Sequence, residues 1–276
     1  MRARHRRAAI VLVSSSLLLA ACGSDDSKSS DAAPRSTTST TAPAVLGDEL
    51  VGRWAHYDIV AYQDSMMKTM IVSYGFTNFT VEDGKLIEAE QFCTADQVSD
   101  QAIETAISDA GTQAIKPVST PVEVSGTPGS LRIRRPATPT PVGIELENPA
   151  TDKLPADPKD PRIVDADGDG KPGITVTVKI GDSFSGELYL ARREIFAYDL
   201  VQKDADTLAG TVKDNSEQLV IGASDPILES TDAQWDQLAD RSLSPIVLRR
   251  VGAGWDCDRL VAQRDDLFEP VPPITW

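Results

Sequence analysis

The chain has 276 residues, of which 42 are acidic and 27 are basic, so its formal net charge at pH 7 is −15. This acidity repels nucleic acid and anionic lipid head groups, and we therefore exclude nucleic acid as a partner. The chain is long enough to bury one sizeable core, but neither its length nor its charge identifies a ligand.

Residues 1–21 have the pattern of a secretory signal peptide. Four arginines precede an apolar run, Ala8–Ala21, that is too short to remain in a bilayer as a spanning helix. The segment leads into Leu19–Cys22, with the sequence Leu-Ala-Ala-Cys, which resembles the lipobox of bacterial lipoproteins. In that family the cysteine is acylated, for example with palmitate, and becomes the new N-terminus. The resemblance implies that Cys22 anchors the protein to the cell membrane, on its extracytoplasmic side.

Residues 22–45 are predicted to be a flexible tether. The segment is rich in serine, threonine, alanine and proline, and it shows no apolar period. Such a composition cannot bury enough apolar surface to offset the conformational entropy that is lost on ordering. We therefore expect the lipid on Cys22 to be followed by a disordered tether and then by a single folded domain, residues 46–276.

The sequence of this domain alternates with the period of β-strands. In one stretch Ile174, Val176, Val178 and Ile180 project to a single face. Similar stretches recur along the domain, rich in β-branched and aromatic residues, and residues 82–85 (Glu-Asp-Gly-Lys) carry a tight-turn signal between two of them. We predict a mainly β protein, either an antiparallel barrel or a sandwich, with one or two short helices.

The predicted helices and one irregular segment interrupt the strands. Ile103, Ala106 and Ile107 have helical spacing within residues 100–115, and a second helix is expected to begin at Thr231 or Asp232. From about residue 136 to residue 172 the chain is dense in proline and acidic residues, so we predict a long excursion without regular structure.

The start of the first predicted strand, Gly52-Arg53-Trp54, resembles the Gly-x-Trp motif of the lipocalin-like barrels. In that family the tryptophan closes the floor of the barrel and packs against an arginine from the last strand. Arg249 and Arg250 lie at the corresponding late position of this chain. The resemblance implies a barrel closed by Trp54 under an arginine, a favourable cation–π contact. An unrelated β domain with a core tryptophan is the alternative, since the proline-rich excursion departs from the compact length of that family.

The cysteines predict one disulfide bond. With Cys22 acylated, Cys93 and Cys257 remain as an even pair in an exported protein. A bond between them closes a long loop and therefore stabilises the fold strongly in the chain-entropy model. Two buried free thiols are the alternative.

An acidic loop, Asp165–Gly173, has the spacing of a calcium site. Asp165, Asp167 and Asp169 occupy positions one, three and five of a calcium-type loop, and a glycine follows at position six, where the chain bends sharply. The carbonyl of Lys171 falls at position seven. Oxygen ligands at alternate residues can converge on one Ca²⁺ ion, so we predict a structural calcium site.

This loop differs from an EF-hand. Val176 stands at position twelve, where the EF-hand has a bidentate glutamate, and a predicted strand follows where a helix is required. The remaining ligands must come from elsewhere, and Asp157 and Asp160 are the nearest upstream candidates. An empty acidic turn and a catalytic cluster are the alternatives.

Catalytic motifs are not supported by the histidine count. After loss of residues 1–21 the protein retains only His56, which excludes a site that needs two histidines. Residues 181–186 (Gly-Asp-Ser-Phe-Ser-Gly) lack the spacing of a nucleophile elbow. Glu88 and Glu90 share one face of a predicted strand, as a carboxylate-pair hydrolase could use them, but the alternation favours solvent-exposed strand carboxylates.

The function expected from the sequence is non-enzymatic. We expect a surface-anchored lipoprotein whose barrel-like domain binds an apolar small molecule or an envelope protein, with the calcium loop in a structural role. The two alternatives are a carboxylate-dependent hydrolase of envelope polymer and a purely structural envelope protein. An apolar cavity in a closed barrel favours binding, whereas two carboxylates across an open groove favour hydrolysis.

Overall fold

The structure is a computed structural model that describes residues 45–63, 67–229 and 235–276. The predicted signal peptide, Cys22 and all but the last residue of the predicted tether lie outside these residues. The described residues belong to one unit, Pro43–Trp276. No helix among them is long and apolar enough to cross a membrane.

Most of the described chain is β-strand, which confirms the predicted fold class. The strands are β1 Gly52–Gln63, β2 Lys68–Glu82, β3 Lys85–Ser99, β4 Ile103–Ile107, β5 Thr120–Pro121, β6 Glu123–Thr127, β7 Ser130–Val142, β8 Ile174–Ile180, β9 Phe184–Asp204, β10 Thr207–Asp214, β11 Glu217–Ala223, β12 Asp236–Gln237 and β13 Pro245–Val251. The helices are α1 Asp109–Gln113, α2 Pro226–Glu229 and α3 Cys257–Leu267, with 3₁₀ turns at Asp48–Leu50 and Arg241–Leu243.

Eight of the strands close into a ring, called the barrel below. The order is β10, β13, β1, β2, β3, β4, β8 and β9, and β9 pairs again with β10. Every pairing in the ring is antiparallel. Closure removes the open edges that a flat sheet of this size would present, because each strand of the ring is hydrogen-bonded on both sides.

The 21-residue strand β9 organises one wall of the barrel. One of its edges pairs with β8 and then β7, and the other with β11 and then β10. The chain between β7 and β8, residues 143–173, leaves the sheet at this point. The irregular excursion is therefore shorter than the predicted residues 136–172, since β7 continues to Val142.

Strand β7 accommodates its prolines because one of its edges lacks a full partner. β6 pairs with β7 only from Ser130 to Arg134, and the register against β9 shifts between Arg135 and Thr138. Pro139 and Pro141 lie two residues apart, so the nitrogens that cannot donate face the same edge of the strand. Proline is tolerated at such edges and irregularities.

The predicted helix at residues 100–115 divides into two elements. Residues Ile103–Ile107 form β4, which pairs with β8, and only Asp109–Gln113 are helical. Ser108 caps that helix by accepting a hydrogen bond from the N–H of Gly111 at 3.1 Å. Ile103, Thr105 and Ile107 alternate, and pairing with β8 outweighs the helical spacing of a few apolar residues because helix propensity is a weak preference.

The predicted start of the second helix, Thr231 or Asp232, lies outside the described residues, and where the description resumes Asp236–Gln237 form the short strand β12. A helix that the sequence did not predict, α3, lies near the C-terminus. Asp256 caps it by accepting a hydrogen bond from the N–H of Arg259 at 2.9 Å. Its one buried residue is Leu260, so it has no apolar stripe for a sequence pattern to reveal.

Both faces of β1 are buried, in two different cores. Trp54 and Val60 belong to the interior cluster of the barrel. Tyr57 and Ile59 belong to an outer cluster in which the sheet packs against α3 and the tail that ends at Trp276. The long run of buried residues in β1 follows from this double coverage.

The predicted disulfide bond joins the barrel wall to α3. Cys93 in β3 and Cys257 at the start of α3 are bonded, with their Cα atoms 5.2 Å apart and a separation of 164 positions in sequence. A loop of this length corresponds to about 5 kcal/mol of stabilisation in the chain-entropy model.

Candidate functional site

Trp54 and Arg250 pack against each other near the start of β1 and the end of β13. The two residues are paired across β1 and β13, and the guanidinium carbon of Arg250 lies 4.2 Å from the centroid of the indole ring. The indole N–H donates to the carbonyl of Leu50 at 2.9 Å, and Arg250 donates to the carbonyl of Glu49 at 2.7 Å. Arg249 lies elsewhere: it donates to the hydroxyl of Thr207 at 2.6 Å.

The barrel interior also holds a layer of buried ionic groups. Arg135 donates from Nε to Glu88 at 2.7 Å, and its Nη2 lies 3.2 Å from a carboxylate oxygen of Glu90. Glu88 is 0% exposed and Glu90 6%. The expectation that these two carboxylates face solvent is wrong, because the shared face of β3 is the inside of the barrel.

The charge of this layer is unbalanced. Burial raises the pKa of Glu88 to about 8, with Glu90 adding to the rise and Arg135 opposing it. Burial also raises the pKa of Glu90, again against Arg135. One guanidinium cannot neutralise two carboxylates, so the pair retains a proton under neutral conditions.

His56 is a buried strand residue. Its Nδ1 lies 3.1 Å from the hydroxyl of Thr77, and its ring lies against Phe92 with the centroids 5.3 Å apart. Burial, with a smaller contribution from Arg135, lowers the pKa of His56 to about 3. The imidazole is therefore neutral at ordinary pH.

Asp58 is the least satisfied carboxyl group of the interior. It is 1% exposed, and neither carboxyl oxygen has a hydrogen-bond partner in the part of the chain that the structure describes. Burial raises its pKa well above the usual range, and Glu90, Glu194 and Asp214 raise it further. A buried carboxyl group without donors is destabilising unless another molecule supplies them.

The interior contains a cavity of about 140 Å³, called the mouth cavity below. Strands β2, β3, β4, β8, β9 and β11 contribute to its wall. Most of its wall is aliphatic or aromatic; these residues include Ile71, Phe92, Ile107, Ile115, Val176, Leu188, Leu190 and Trp235. Ligand sites in proteins have this character, a concave apolar wall with a few polar groups.

The strand register places the mouth cavity next to the ionic layer. Ser73 in the cavity wall is paired with Asp58, and Ile71 with Val60. Directly paired residues of antiparallel strands project to the same face, so Asp58 points into the interior beside Ser73. Phe92 contacts the cavity on one side and His56 on the other.

Three charged residues line the mouth cavity, Asp96, Arg192 and Glu194, and the last two form a pair. The Nε atom of Arg192 lies 3.4 Å from a carboxylate oxygen of Glu194, and Arg192 donates from Nη1 to Gln218 at 2.7 Å. Burial raises the pKa of Glu194, Arg192 opposes this rise and Asp214 adds to it. The pair is thus held between apolar walls and further carboxyl groups.

The acidic loop lies outside the barrel, just before β8. One carboxylate oxygen from each of Asp165, Asp167 and Asp169 lies within 4.8 Å of the other two. Asp165 accepts hydrogen bonds from the N–H groups of Gly168, Asp169 and Gly170, at 2.8, 3.1 and 2.9 Å. The two glycines adopt φ angles of 73° and 83°, which bend the chain around the carboxylate.

Thr175 fastens this loop to β8. Its N–H donates to Asp167 at 3.0 Å, and its hydroxyl donates to Asp169 at 2.6 Å. The other carboxylate oxygen of Asp167 is buried and, within the described ranges, has no hydrogen-bond partner. The loop therefore retains one buried acceptor that its own backbone does not satisfy.

The other residues considered for the calcium site lie around this cluster. The ammonium of Lys171 lies 3.8 Å from a carboxylate oxygen of Asp169 and donates to Glu187 on β9. Asp157 and Asp160 do not belong to the cluster, and Asp160 is paired with Arg162 at 2.7 Å. Glu187, which sequence reasoning did not consider, is thus a further carboxylate near the loop.

Comparison of the chain with protein-family models, curated proteins and solved structures finds no match. The function is therefore argued from the geometry of the site. Sequence reasoning missed Arg192 and Glu194, although a signal was present: they share one face of β9 with Leu190 and Phe196, and charges on an otherwise apolar face indicate a polar site in an enclosed interior.

Proposed function

We propose that this protein is a non-enzymatic binding protein that takes a small apolar molecule, or the apolar end of a larger one, into the mouth cavity. The observation that carries the proposal is the apolar cavity at one end of a closed ring of strands. A volume of about 140 Å³ matches a short alkyl chain or one ring rather than a drug-sized ligand.

The carboxylate geometry supports binding over hydrolysis. Glu88 and Glu90 are buried, share Arg135 and do not line the mouth cavity. A glycoside hydrolase needs two carboxyl groups on either side of the bond that it cleaves. In the mouth cavity Glu194 is tied to Arg192 instead, and Asp96 is tied to Arg264 at 3.0 Å.

We also propose the cellular setting and the metal that the sequence indicates. The protein is exported and held at the extracytoplasmic side of the cell membrane by a lipid on Cys22. A Ca²⁺ ion bound by Asp165, Asp167, Asp169 and the carbonyl of Lys171 fastens the excursion to β8. The unpartnered oxygen of Asp167 supports this assignment, since a cation would satisfy it. A purely structural envelope role is less favoured, because the mouth cavity leaves the interior partly unfilled.

Titration with n-hexanol tests the binding proposal. Burial of six carbons at about 0.8 kcal/mol each corresponds to a Kd on the order of 0.1–1 mM, measurable by calorimetry. Val176→Phe, in the cavity wall, should abolish binding. Val178→Phe is the matched control, because Val178 lies on the same strand, is also buried and does not line the cavity. Absence of hexanol binding up to several millimolar, or equal binding by both variants, would contradict the proposal.

A further inference from the structure

We propose that the ligand of the mouth cavity is an apolar cation, such as a protonated alkylamine, whose ammonium group is held by Glu194 with Asp58 beside it. This inference rests on the proposed function and names the chemical class of the ligand. It follows from the charge of the barrel interior, from the unpartnered carboxyl group of Asp58 and from the existing contacts of Arg192.

The interior beside the cavity carries more acidic than basic groups. Asp58, Glu88, Glu90, Glu194 and Asp214 are five carboxyl groups that act on one another or on the same guanidiniums. Among the described residues, two cations face them, Arg135 and Arg192. A bound cation would favour the ionised forms of these carboxyl groups, whereas a bound anion would oppose their ionisation.

Asp58 supplies the second observation. Its two oxygens are buried and have no donor among the described residues, and its position opposite Ser73 directs it into the interior beside the cavity wall. An ammonium group carries three N–H donors and a positive charge. It therefore supplies the hydrogen bonds that Asp58 lacks among the described residues, and its charge stabilises the ionised form of this carboxyl group. A water molecule would supply donors without charge, and the experiment below separates the two cases.

Arg192 does not make the cavity a site for anions. Its guanidinium already donates to Gln218 and faces Glu194. Burial lowers the pKa of this guanidinium, but Glu194, Tyr62 and Asp214 together raise it above its usual value. A ligand carboxylate at this position would have to displace Glu194 and would then lie beside Asp58, so repulsion between like charges opposes it.

The aromatic residues of the cavity wall favour the same class of ligand. Phe92 and Trp235 both line the cavity. Aromatic faces attract organic cations. The wall thus contacts the apolar body of the ligand while its aromatic faces and Glu194 stabilise the charge.

Three probes of equal length test the inference: n-hexylammonium, n-hexanol and n-hexanoate, each titrated by calorimetry into the full chain at pH 7. We expect hexylammonium to bind at least tenfold more tightly than hexanol, and hexanoate to show no binding. Equal affinities for the amine and the alcohol, or tighter binding of hexanoate, would overturn the inference and leave the proposed function intact. If none of the three binds, both are overturned.

Variants that each remove one carboxylate charge test which residues cause the preference for hexylammonium over hexanol. Glu194→Gln should bring the affinity for hexylammonium to within about threefold of that for hexanol. Glu187→Gln is the matched control, because Glu187 lies on the same strand but faces outward to Lys171, and it should retain the full preference. Should Glu194→Gln fail to fold by thermal melting, Asp58→Asn takes its place, with at least a threefold loss of the preference expected. An unchanged preference in the folded variant would refute the role of these carboxyl groups.

Discussion

The buried ionic layer and the acidic loop both consist mainly of carboxyl groups, but the pKa values of these groups shift in opposite directions in the two regions. In the loop, Asp165 accepts hydrogen bonds from three backbone N–H groups. The hydrogen bond from the hydroxyl of Thr175 lowers the pKa of Asp169. In the barrel, burial raises the pKa of Glu88 and Glu90, although both contact Arg135. The surroundings rather than the residue type decide which of these carboxyl groups stay ionised.

The largest effect on this comparison is expected from removing Arg135, the cation that Glu88 and Glu90 share. Arg135→Met leaves two carboxyl groups buried without a partner, so we expect a loss of about 3–5 kcal/mol in the free energy of unfolding, measured by urea denaturation. Arg134→Met, at the exposed neighbouring position, is the control and should change it by less than about 1 kcal/mol. The triple variant Glu88→Gln, Glu90→Gln, Arg135→Met should recover part of the loss. Equal effects at positions 134 and 135 would contradict the ionic layer.

The two regions should respond to pH with opposite sign. The folded pKa of Glu88 is about 8 against its usual 4.5, so the folded state binds more protons than the unfolded state between these values. Stability from this group is therefore present below about pH 4.5 and is lost as the pH rises to about 8, with a slope of at most about 1.4 kcal/mol per pH unit. Asp169, whose pKa is lowered, instead loses its contribution as the pH falls through and below the usual value of 3.8.

Urea denaturation at pH 5, 6.5 and 8 measures this difference. Glu88→Gln should flatten the decline between pH 5 and pH 8, because the group that binds the extra proton is gone. Asp169→Asn should leave the decline unchanged, since the loop carboxylate is ionised throughout that range. A stability that is independent of pH in the native protein would show that Glu88 does not hold a proton.

The smallest expected effect on stability is that of calcium binding at the acidic loop. At a Kd of 10⁻⁴–10⁻³ M, roughly that of extracellular calcium modules, 10 mM Ca²⁺ stabilises the folded state by about 1.4–2.7 kcal/mol. This corresponds to a rise in Tm of roughly 3–10 °C by calorimetry. Asp167→Asn should abolish the rise, whereas Asp160→Asn, outside the cluster, should retain it. No rise in the native protein would favour an empty acidic turn.

The sequence alone was sufficient where a local pattern carries the information. Alternation in Ile174–Ile180 predicted a strand, and the structure pairs it on both sides as β8. The even pair Cys93 and Cys257 predicted the disulfide bond. The spacing of the three aspartates predicted that their carboxylates converge. Each of these follows from residue type and separation along the chain.

The tertiary structure decided which side of each strand is inside. Period two shows that Glu88 and Glu90 share a face, but it cannot show that this face is enclosed by a ring of eight strands. In β1 both faces are buried, one in the barrel and one under α3, so alternation leaves no polar side to mark solvent. Burial depends on contacts between residues far apart in sequence, such as Arg135 with Glu88, and a local pattern does not record such contacts.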